Sequence, residues 1–598
     1  MSEKHFIHDP SQLLAQALRG LSLTNPSLVV DEAQKIVRHV PAPFAQPIVR
    51  VISGGGAGHE PAFVGYVGQG LLSAAVSGSI FASPNSTQIL HAIESVESTK
   101  GVLITVMNYT GDVLNFGVAV ERAKARNPCL MIEMLVVDED VGVPRSQSGK
   151  VGRRGIAGTC LVHKVTAAAA HQGKSLSEVA SLGRVVLQRL GSIGVSLDRV
   201  HVPGHDGVNA KMALQHDEVE LGMGIHNEAG SSRRCGSEAQ STSLVAEMLE
   251  QLISQEDPDR AFIKTLSPEA VLLVNNLGGL SPLELAGITT EVAEQLHGRY
   301  NVSTPRVYSG TFMTSLNGPG FSISLLFLQP DTSETILYLL DSPCEAQGWV
   351  SSTSTHTWGR SVEHELSNRH TSTIVDTLQQ HRKQQVALNC DMAHLLQQLE
   401  AGIHEVIKAE PDVTHFDSIV GDGDCGTTLK RGAEELLKVC QKAPSNLDHF
   451  LDDVVGAVER SMDGTSGALY SIFVNALRSF FVSAAGCNSN PSLLVDRKVW
   501  VDAVGAATSA LSRYTPATIG DRTLMDTLIP FQRALTSGSS PQEAATIATR
   551  AADGTKFMTA KLGRAVYVGG QESWVGTVPD PGAWGLSRFL AGIVGSAE

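Results

Sequence analysis

The feature that most constrains this chain is a change of hydrophobic period partway along it. Up to about residue 341 the apolar residues come in short runs, at 48–53, 102–107, 130–138, 271–275, 306–308 and 322–327. The early runs end near Gly or Asp, and runs of that length bounded in that way read as buried strands of a parallel or mixed sheet. Helix-like stretches at 115–125 and 161–170 lie between them. After residue 391 the spacing changes. Met392, Leu395, Leu396, Leu399, Ile403, Val406 and Ile407 mark one face of a helix, and Leu451, Val454, Val455, Val458 and Met462 repeat the pattern. Residues 468–484 are apolar on most sides and read as a buried helix. Pro411, Pro444, Pro516 and Pro541 punctuate this region. The chain therefore reads as two α/β lobes followed by an all-α bundle or barrel. Between them, residues 351–373 are rich in Ser, Thr and His and read as an exposed linker.

Composition excludes several classes. A net charge of −15 argues against a nucleic-acid scaffold. The polar start of the chain lacks a signal-peptide core, and no run of about 18 apolar residues suggests a membrane span. Eight scattered cysteines without a C-x-x-C fit a reduced cytosolic protein. The 57 glycines are an excess, and glycine lets backbone approach a ligand closely.

The sharpest constellation is Asp417-Ser-Ile-Val-Gly421-Asp422-Gly423-Asp424-Cys425-Gly426-Thr427-Thr428. Hard cations such as Mg²⁺ take oxygen ligands, and the glycines permit a tight loop that converges Asp422 and Asp424 with Asp417. Gly464-Thr465-Ser466-Gly467 ahead of the helix at 468 offers N–H groups and hydroxyls to a phosphate. Gly520-Asp521-Arg522-Thr523 supplies a cation ahead of another helix, and Asp580-Pro581-Gly582-Ala583 makes a further turn. The expected product is an Mg–nucleotide site on helix ends. There is no Walker-type phosphate loop; Gly173-Lys174-Ser175 reads as a helix terminus.

D-x-x-x-x-D-x-D-x-G, G-T-S-G-A-L-Y, G-D-R-T and D-P-G-A together resemble the ATP-binding L domain of dihydroxyacetone kinases. That resemblance implies an eight-helix barrel over 386–590, with Asp417, Asp422 and Asp424 holding two Mg²⁺ ions. It places Asp424, Cys425, Gly426, Thr427, Thr465, Ser466, Arg522, Thr523, Leu524, Arg564, Asp580, Pro581 and Gly582 at the nucleotide. Residues 563–571 depart from the family pattern.

In the first half, S-G-G-G-A-G-H-E-P (53–61), N-Y-T-G-D (108–112), G-R-R-G-I-A-G-T (152–159), G-M-G-I-H (222–226) and T-S-L-N-G-P-G-F-S (314–322) resemble the K domain of the same kinases. The implied K domain spans 10–343, in lobes of about 10–195 and 196–343, with a linker at 344–385. By resemblance, His226 Nε2 captures the ketone of dihydroxyacetone as a hemiaminal, Asp112 is the general base, and His59 hydrogen-bonds the substrate. Gly56, Ala57 and Gly58 bring backbone to it. The implied activity is ATP-dependent phosphorylation of dihydroxyacetone, with glyceraldehyde as a further substrate, in a cytoplasmic homodimer. Met107 stands where the family usually carries a Lys, Asn227 where it carries a Gly, Ser79 where it carries an Asp, and Val113 where an Arg is common. These departures leave open a kinase of another hydroxy-carbonyl compound. A nucleotide-cyclising activity and a non-catalytic ligand-binding regulator are further alternatives.

Overall fold

The computed structural model describes residues 5–42, 44–96, 98–204, 214–349, 353–358, 387–442, 444, 446–486, 492–562, 564–566 and 574–595. The chain divides into two compact units, Met1–Thr371 and Ser372–Glu598.

The first unit contains two six-stranded sheets. The first sheet is built from β1 (Leu28–Asp31), β2 (Ile36–His39), β3 (Arg50–Ala57), β4 (Ala74–Ile80), β5 (Val102–Met107) and β6 (Ile132–Val137), in the order β1-β2-β4-β3-β5-β6. Strands β4, β3, β5 and β6 are mutually parallel, and β2 joins β4 antiparallel. The order reverses at β3, because β4 lies on one side of it and β5 on the other. In open α/β sheets that switch point, at the strand C-termini, opens a crevice.

The second sheet contains β7 (Leu190–Ser196), β8 (Glu218–Leu221), β9 (Ser232–Cys235), β10 (Glu269–Asn276), β11 (Ser303–Gly310) and β12 (Gly320–Phe327), ordered β11-β10-β12-β7-β8-β9. The division of lobes at 195/196 is corrected here. β7 pairs antiparallel with β12 and with β8, so the second sheet begins at Leu190.

Helices α1 (Pro10–Thr24), α2 (Ser86–Ser95), α3 (Thr110–Arg126), α4 (Thr159–His171), α5 (Leu176–Gln188), α6 (Ser241–Ile253), α7 (Pro282–Tyr300) and α8 (Ser333–Leu340) cover the sheets. One core joins α4 and α5 to Leu103 of the first sheet and to Val271, Leu273 and Leu326 of the second. A second core packs α2 and α3 on the outer face of the first sheet, and a third packs α6 and α7 on that of the second. α4 is buried from Thr159 to Ala170, as a helix must be when a sheet lies on either side of it.

The linker reading at 344–385 is also corrected at its start. Ala346 and Trp349 are buried, and Gly348 N–H donates to Gly65 O at 2.8 Å. The short α9 (Thr355–Trp358) sets Trp358 6.4 Å from the Tyr308 ring and under Arg306. Apolar anchors thus tie this stretch to the α/β unit. Residues 359–386 lie outside the described residues.

The second unit has eight α-helices among the described residues: α10 (Met392–Val420), α11 (Cys425–Gln441), α12 (Leu447–Ser461), α13 (Gly464–Gly486), α14 (Arg497–Leu511), α15 (Met525–Thr536), α16 (Pro541–Gly554) and α17 (Pro581–Gly595). Each packs on the next, and α17 packs back on α10, which closes the ring. A short parallel pair, β13 (Ala387–Asn389) and β14 (Ser492–Leu494), accompanies it. Pro411 does not end a helix, contrary to the sequence reading. It sits inside α10, where packing against α11 and α17 carries the helix through. Helix α13 meets the length and composition of a membrane span over Gly464–Ala485, with mean hydropathy 1.4, which the sequence reading discounts. Its Leu469, Phe473 and Leu477 line an apolar cavity of about 590 Å³ enclosed by the ring.

Candidate functional site

In the α/β unit the switch-point loops are built as follows. Gly54 to Ala57 lie in β3, where a side chain on Gly54 would strike Val76 O at 2.4 Å and one on Gly56 the backbone of Ala82 at 2.8 Å. Gly58 has φ +98° and faces the Phe81 ring, so the glycine run is required by backbone crowding. The chain then turns into His59, which is fully buried. His59 Nδ1 lies 2.8 Å from the backbone oxygen of Thr314. Burial and the neighbouring His226 push His59 down to about 3.

The β5 loop leads into α3, whose first turn carries Asp112, 4% exposed. Burial raises its carboxyl, against a hydrogen bond from the Ser83 side chain and the nearby His226. Its Oδ1 is buried with no hydrogen-bond partner among the described residues.

His226 comes from the second sheet, on the β8–β9 connection. Its Nε2 stands 3.0 Å from His59 Nε2, and its ring packs edge-on against Phe81 and Tyr109 at 5.4 and 4.6 Å. Glu228 holds it from behind, taking Nδ1–H at 3.0 Å and the His226 backbone N–H at 2.8 Å. Burial alone would raise Glu228; the hydrogen bonds from His226 and the charges of His226 and Arg154 hold it down to about 2. Arg154 is itself anchored on Asp140 and on Gly222 O. A Cβ on Gly224 would lie 2.1 Å from Glu228, so that glycine makes room for the carboxylate.

The structure thus brings together His59, Asp112 and His226 from three loops and two sheets. Sequence reasoning missed Glu228, Ser83, Phe81, Tyr109 and the Thr314 carbonyl. Glu228 had a signal, an acid two residues after the histidine; a backbone carbonyl 255 residues away had none. Asn227 has φ +64°, a conformation that Asn tolerates better than most residues after Gly, and its amide ties to Val200 N and O. Met107 is a buried thioether at the end of β5 packed on Gly155. Ser79 is exposed and accepts from Lys35 Nζ.

In the helical unit, alternation of helix direction sets the N-termini of α11, α13, α15 and α17 at one end of the ring. Asp417 closes the last turn of α10, and its Oδ2 accepts the Cys425 N–H that opens α11, at 3.0 Å. Asp417, Asp422 and Asp424 offer carboxylate oxygens within 4.8 Å of one another. Three oxygen donors that close fit a hard divalent cation. Gly421, Gly423 and Gly426 make the loop possible; a Cβ on Gly426 would lie 2.2 Å from Thr414 Oγ1. Cys425 is pushed up to about 12 by burial and by Asp417, Asp580 and Asp424, so its thiol stays protonated.

α13 begins at Gly464 rather than at residue 468, which places Thr465 and Ser466 in its first turn. The N–H groups that open a helix lack helical acceptors, a chemistry that suits an anion. Ser466 Oγ is 3.9 Å from Cys425 Sγ, which joins this end to the aspartate loop. The 520–524 loop is closed by Asp526, which accepts from Gly520 N and Thr523 N at 2.6 and 2.7 Å. Leu524 caps α15. Arg522 departs from expectation: it is 1% exposed, its guanidinium donates to Val578 O at 2.9 Å and lies over Trp574. Apolar packing draws it inward beside Asp580, so it is no free surface cation. Asp580 caps α17 through Ala583 N at 2.8 Å, with Pro581 and Gly582 in the first turn, and burial pushes its carboxyl up to about 6. The side chain of Arg564 and most of 563–571 lie outside the described residues.

Comparison with known proteins agrees with both halves. The Dak1 domain matches residues 19–348 and the DAK2 domain residues 419–595. Dihydroxyacetone kinase 2 of Saccharomyces cerevisiae is 40% identical, over 100% of both chains. Triokinase/FMN cyclase of Homo sapiens is 33% identical over 99% of each. The crystal structure of the dihydroxyacetone kinase from C. freundii in complex with AMP-PNP and Mg²⁺ is similar over 100% of both chains, at 29% identity and a TM-score of 0.59.

Proposed function

The chain belongs to the dihydroxyacetone kinase family, and on that premise we propose that it transfers the γ-phosphoryl of ATP to a hydroxyl of dihydroxyacetone through His226, Asp112 and His59. Glyceraldehyde is a second substrate of this reading. The observation that carries it is the meeting of half-buried His226 Nε2 with buried His59, near the Asp112 Oδ1 that has no partner among the described residues.

His226 Nε2 adds to the ketone, which selects carbonyl compounds and fixes the substrate covalently. Asp112 takes the proton of the terminal hydroxyl as that oxygen attacks phosphorus, and its raised carboxyl makes it a better base than a solvated aspartate. His59, held by Thr314, hydrogen-bonds the captured substrate. Phe81 and Tyr109 wall the site and keep water from it. In the helical unit Asp417, Asp422 and Asp424 hold magnesium, two ions in this reading. When bound, magnesium neutralises charge on the transferring phosphates. Thr465 and Ser466 present N–H groups to the phosphates, and Thr427, Thr523, Leu524 and the 580–582 turn border the nucleotide. Arg522 orders this end through Asp580.

We read the chain as a cytosolic homodimer. The seven described cysteines are free thiols, as a reducing compartment keeps them. The deciding experiment incubates the protein with Mg-ATP and a panel of hydroxy-ketones and hydroxy-aldehydes and follows ADP release. Release stimulated most by dihydroxyacetone, and abolished in His226→Ala, supports the assignment. ADP release that no carbonyl compound stimulates overturns it.

A further inference from the structure

Two bulky residues at the acceptor site hold a backbone conformation that glycine prefers. Phe81, just after β4, has φ +56°, and Leu316, in the loop before β12, has φ +50°. That region is costly for a large side chain, and such residues persist where their surroundings fix them, often at ligand clamps. Here one short loop fixes both. Phe81 N–H donates to Ala57 O at 2.9 Å, and Leu316 N–H donates to Gly58 O at 2.7 Å.

Their side chains converge from the two sheets. A Cβ on Gly58 would stand 2.8 Å from the Phe81 ring and 3.4 Å from Leu316 Cδ2. The Phe81 ring stacks on that of His59, with centroids 5.2 Å and planes 20° apart, and meets His226 edge-on. Phe81 and Leu316 are half-buried, whereas His59 is fully buried, so the pair forms an outer apolar edge of the site. That edge is braced. Thr314 N–H donates to His59 O at 3.1 Å, and its Oγ1 donates to Glu60 O at 2.9 Å. Ser315 Oγ donates to Ile225 O at 2.6 Å, one residue before His226. The segment that carries Leu316 is thus tied to both histidine loops. On the other side Ser83, two residues after Phe81, hydrogen-bonds Asp112. An edge tied at these points cannot widen without moving the reacting groups.

Resting on the carbonyl-capture reading above, we propose that Phe81 and Leu316 are specificity-determining residues that set the length of the acceptor. One arm of a ketone bonded to His226 reaches Asp112. The other arm meets the Phe81–Leu316 edge, which admits a hydroxymethyl group and stops a longer chain. The site then takes hydroxy-carbonyl compounds of three carbons and rejects longer ones. Neither side chain offers a hydrogen bond, so the choice is made by size, at about tenfold or more for an added carbon.

The test compares dihydroxyacetone with erythrulose, a four-carbon ketose with the same hydroxy-ketone head, on the full chain with Mg-ATP. In wild type, kcat/KM from ADP release is expected to favour dihydroxyacetone by about tenfold or more. Phe81→Ala and Leu316→Ala should each shift that ratio toward erythrulose by about tenfold. Phe81→Leu should move it part of the way, and serves where alanine does not fold. A merely structural role lowers both substrates together and leaves the ratio alone. A ratio unmoved in every folded variant, or a wild type that uses both ketoses equally, overturns the proposal. The same ratio is read without nucleotide, as the affinity for each ketose by calorimetry. Selective binding without ADP release sinks the phosphoryl-transfer reading and leaves the length limit standing. ADP release with an unmoved ratio does the reverse, and a chain that binds neither ketose overturns both.

Discussion

A Cβ placed on Gly421 would stand 2.3 Å from Asp417 Oδ1. The glycine that ends α10 is therefore part of the ligand geometry, because a side chain there evicts the carboxylate it should converge with. Gly421→Ala is expected to weaken magnesium dependence of ATP turnover about tenfold or more, the weight of one charged ligand displaced from the ion. A magnesium titration of ADP release checks this. Carbonyl capture by the α/β unit should be unchanged, and an unchanged magnesium titration would mean that Asp417 is not a ligand.

Asp112→Asn separates capture from transfer. Removing the base should lower kcat by roughly a hundredfold to ten-thousandfold, the usual weight of general base catalysis. The hemiaminal at His226 should still form, as read by carbon NMR on labelled substrate. If the substitution abolishes the adduct and leaves residual turnover in step with it, Asp112 serves binding rather than proton removal.

Asn227→Ala tests the backbone that presents His226. The residue sits at φ +64° and its amide makes two hydrogen bonds to Val200. Alanine loses both bonds and strains the turn, for a cost of about 2 kcal/mol. Asn227→Gly relieves the strain and loses only the bonds. Thermal melts should rank wild type above Gly and Gly above Ala; an alanine variant as stable as wild type would show that the turn is not under this constraint.

His163 gives the acid side of the stability profile. It is fully buried, neither ring nitrogen has a partner among the described residues, and burial pushes it down to about 3. The unfolded chain binds a proton near 6.5, so stability from this group is complete above that pH. It falls as pH drops from 6.5 toward 3, where the folded state also protonates. At pH 5 the loss is about 2 kcal/mol. His163→Leu should flatten the drop in melting temperature between about pH 7 and pH 5. A variant with the wild-type pH dependence would place the acid sensitivity elsewhere.

Much of this was legible in the residues. The spacing of Asp417, Asp422 and Asp424 with three glycines is a local property, and local turns follow from local sequence. The apolar runs at 48–53 and 102–107 pointed to where the acceptor loops lie. What was not legible depends on distant pairing. β7 is not among the apolar runs read as strands, and its ladder with β12 is what assigns it to the second sheet. Arg522 reads as a phosphate cation because sequence shows charge and not burial; Trp574 and Val578, more than fifty residues on, draw it inward. Pro411 reads as a break because propensity is local, while the packing that overrides it comes from α11 and α17. Ser83 reaches Asp112 from a different loop, and no spacing rule connects them.

The closure of the ring by α10 and α17 has a consequence for how the protein is made. Synthesis runs from the N-terminus, and domains complete as they emerge from the ribosome. The α/β unit, with all three residues of its acceptor site in hand by residue 226, has its last strand by Phe327. The helical ring stays an open arc until its final stave arrives. The 580–582 turn, where Asp580 caps that stave, reaches the nucleotide end after the other groups named there. A chain still being made thus has the means to hold a ketone before it has a finished place for ATP, and the power to spend ATP comes after the power to hold its acceptor.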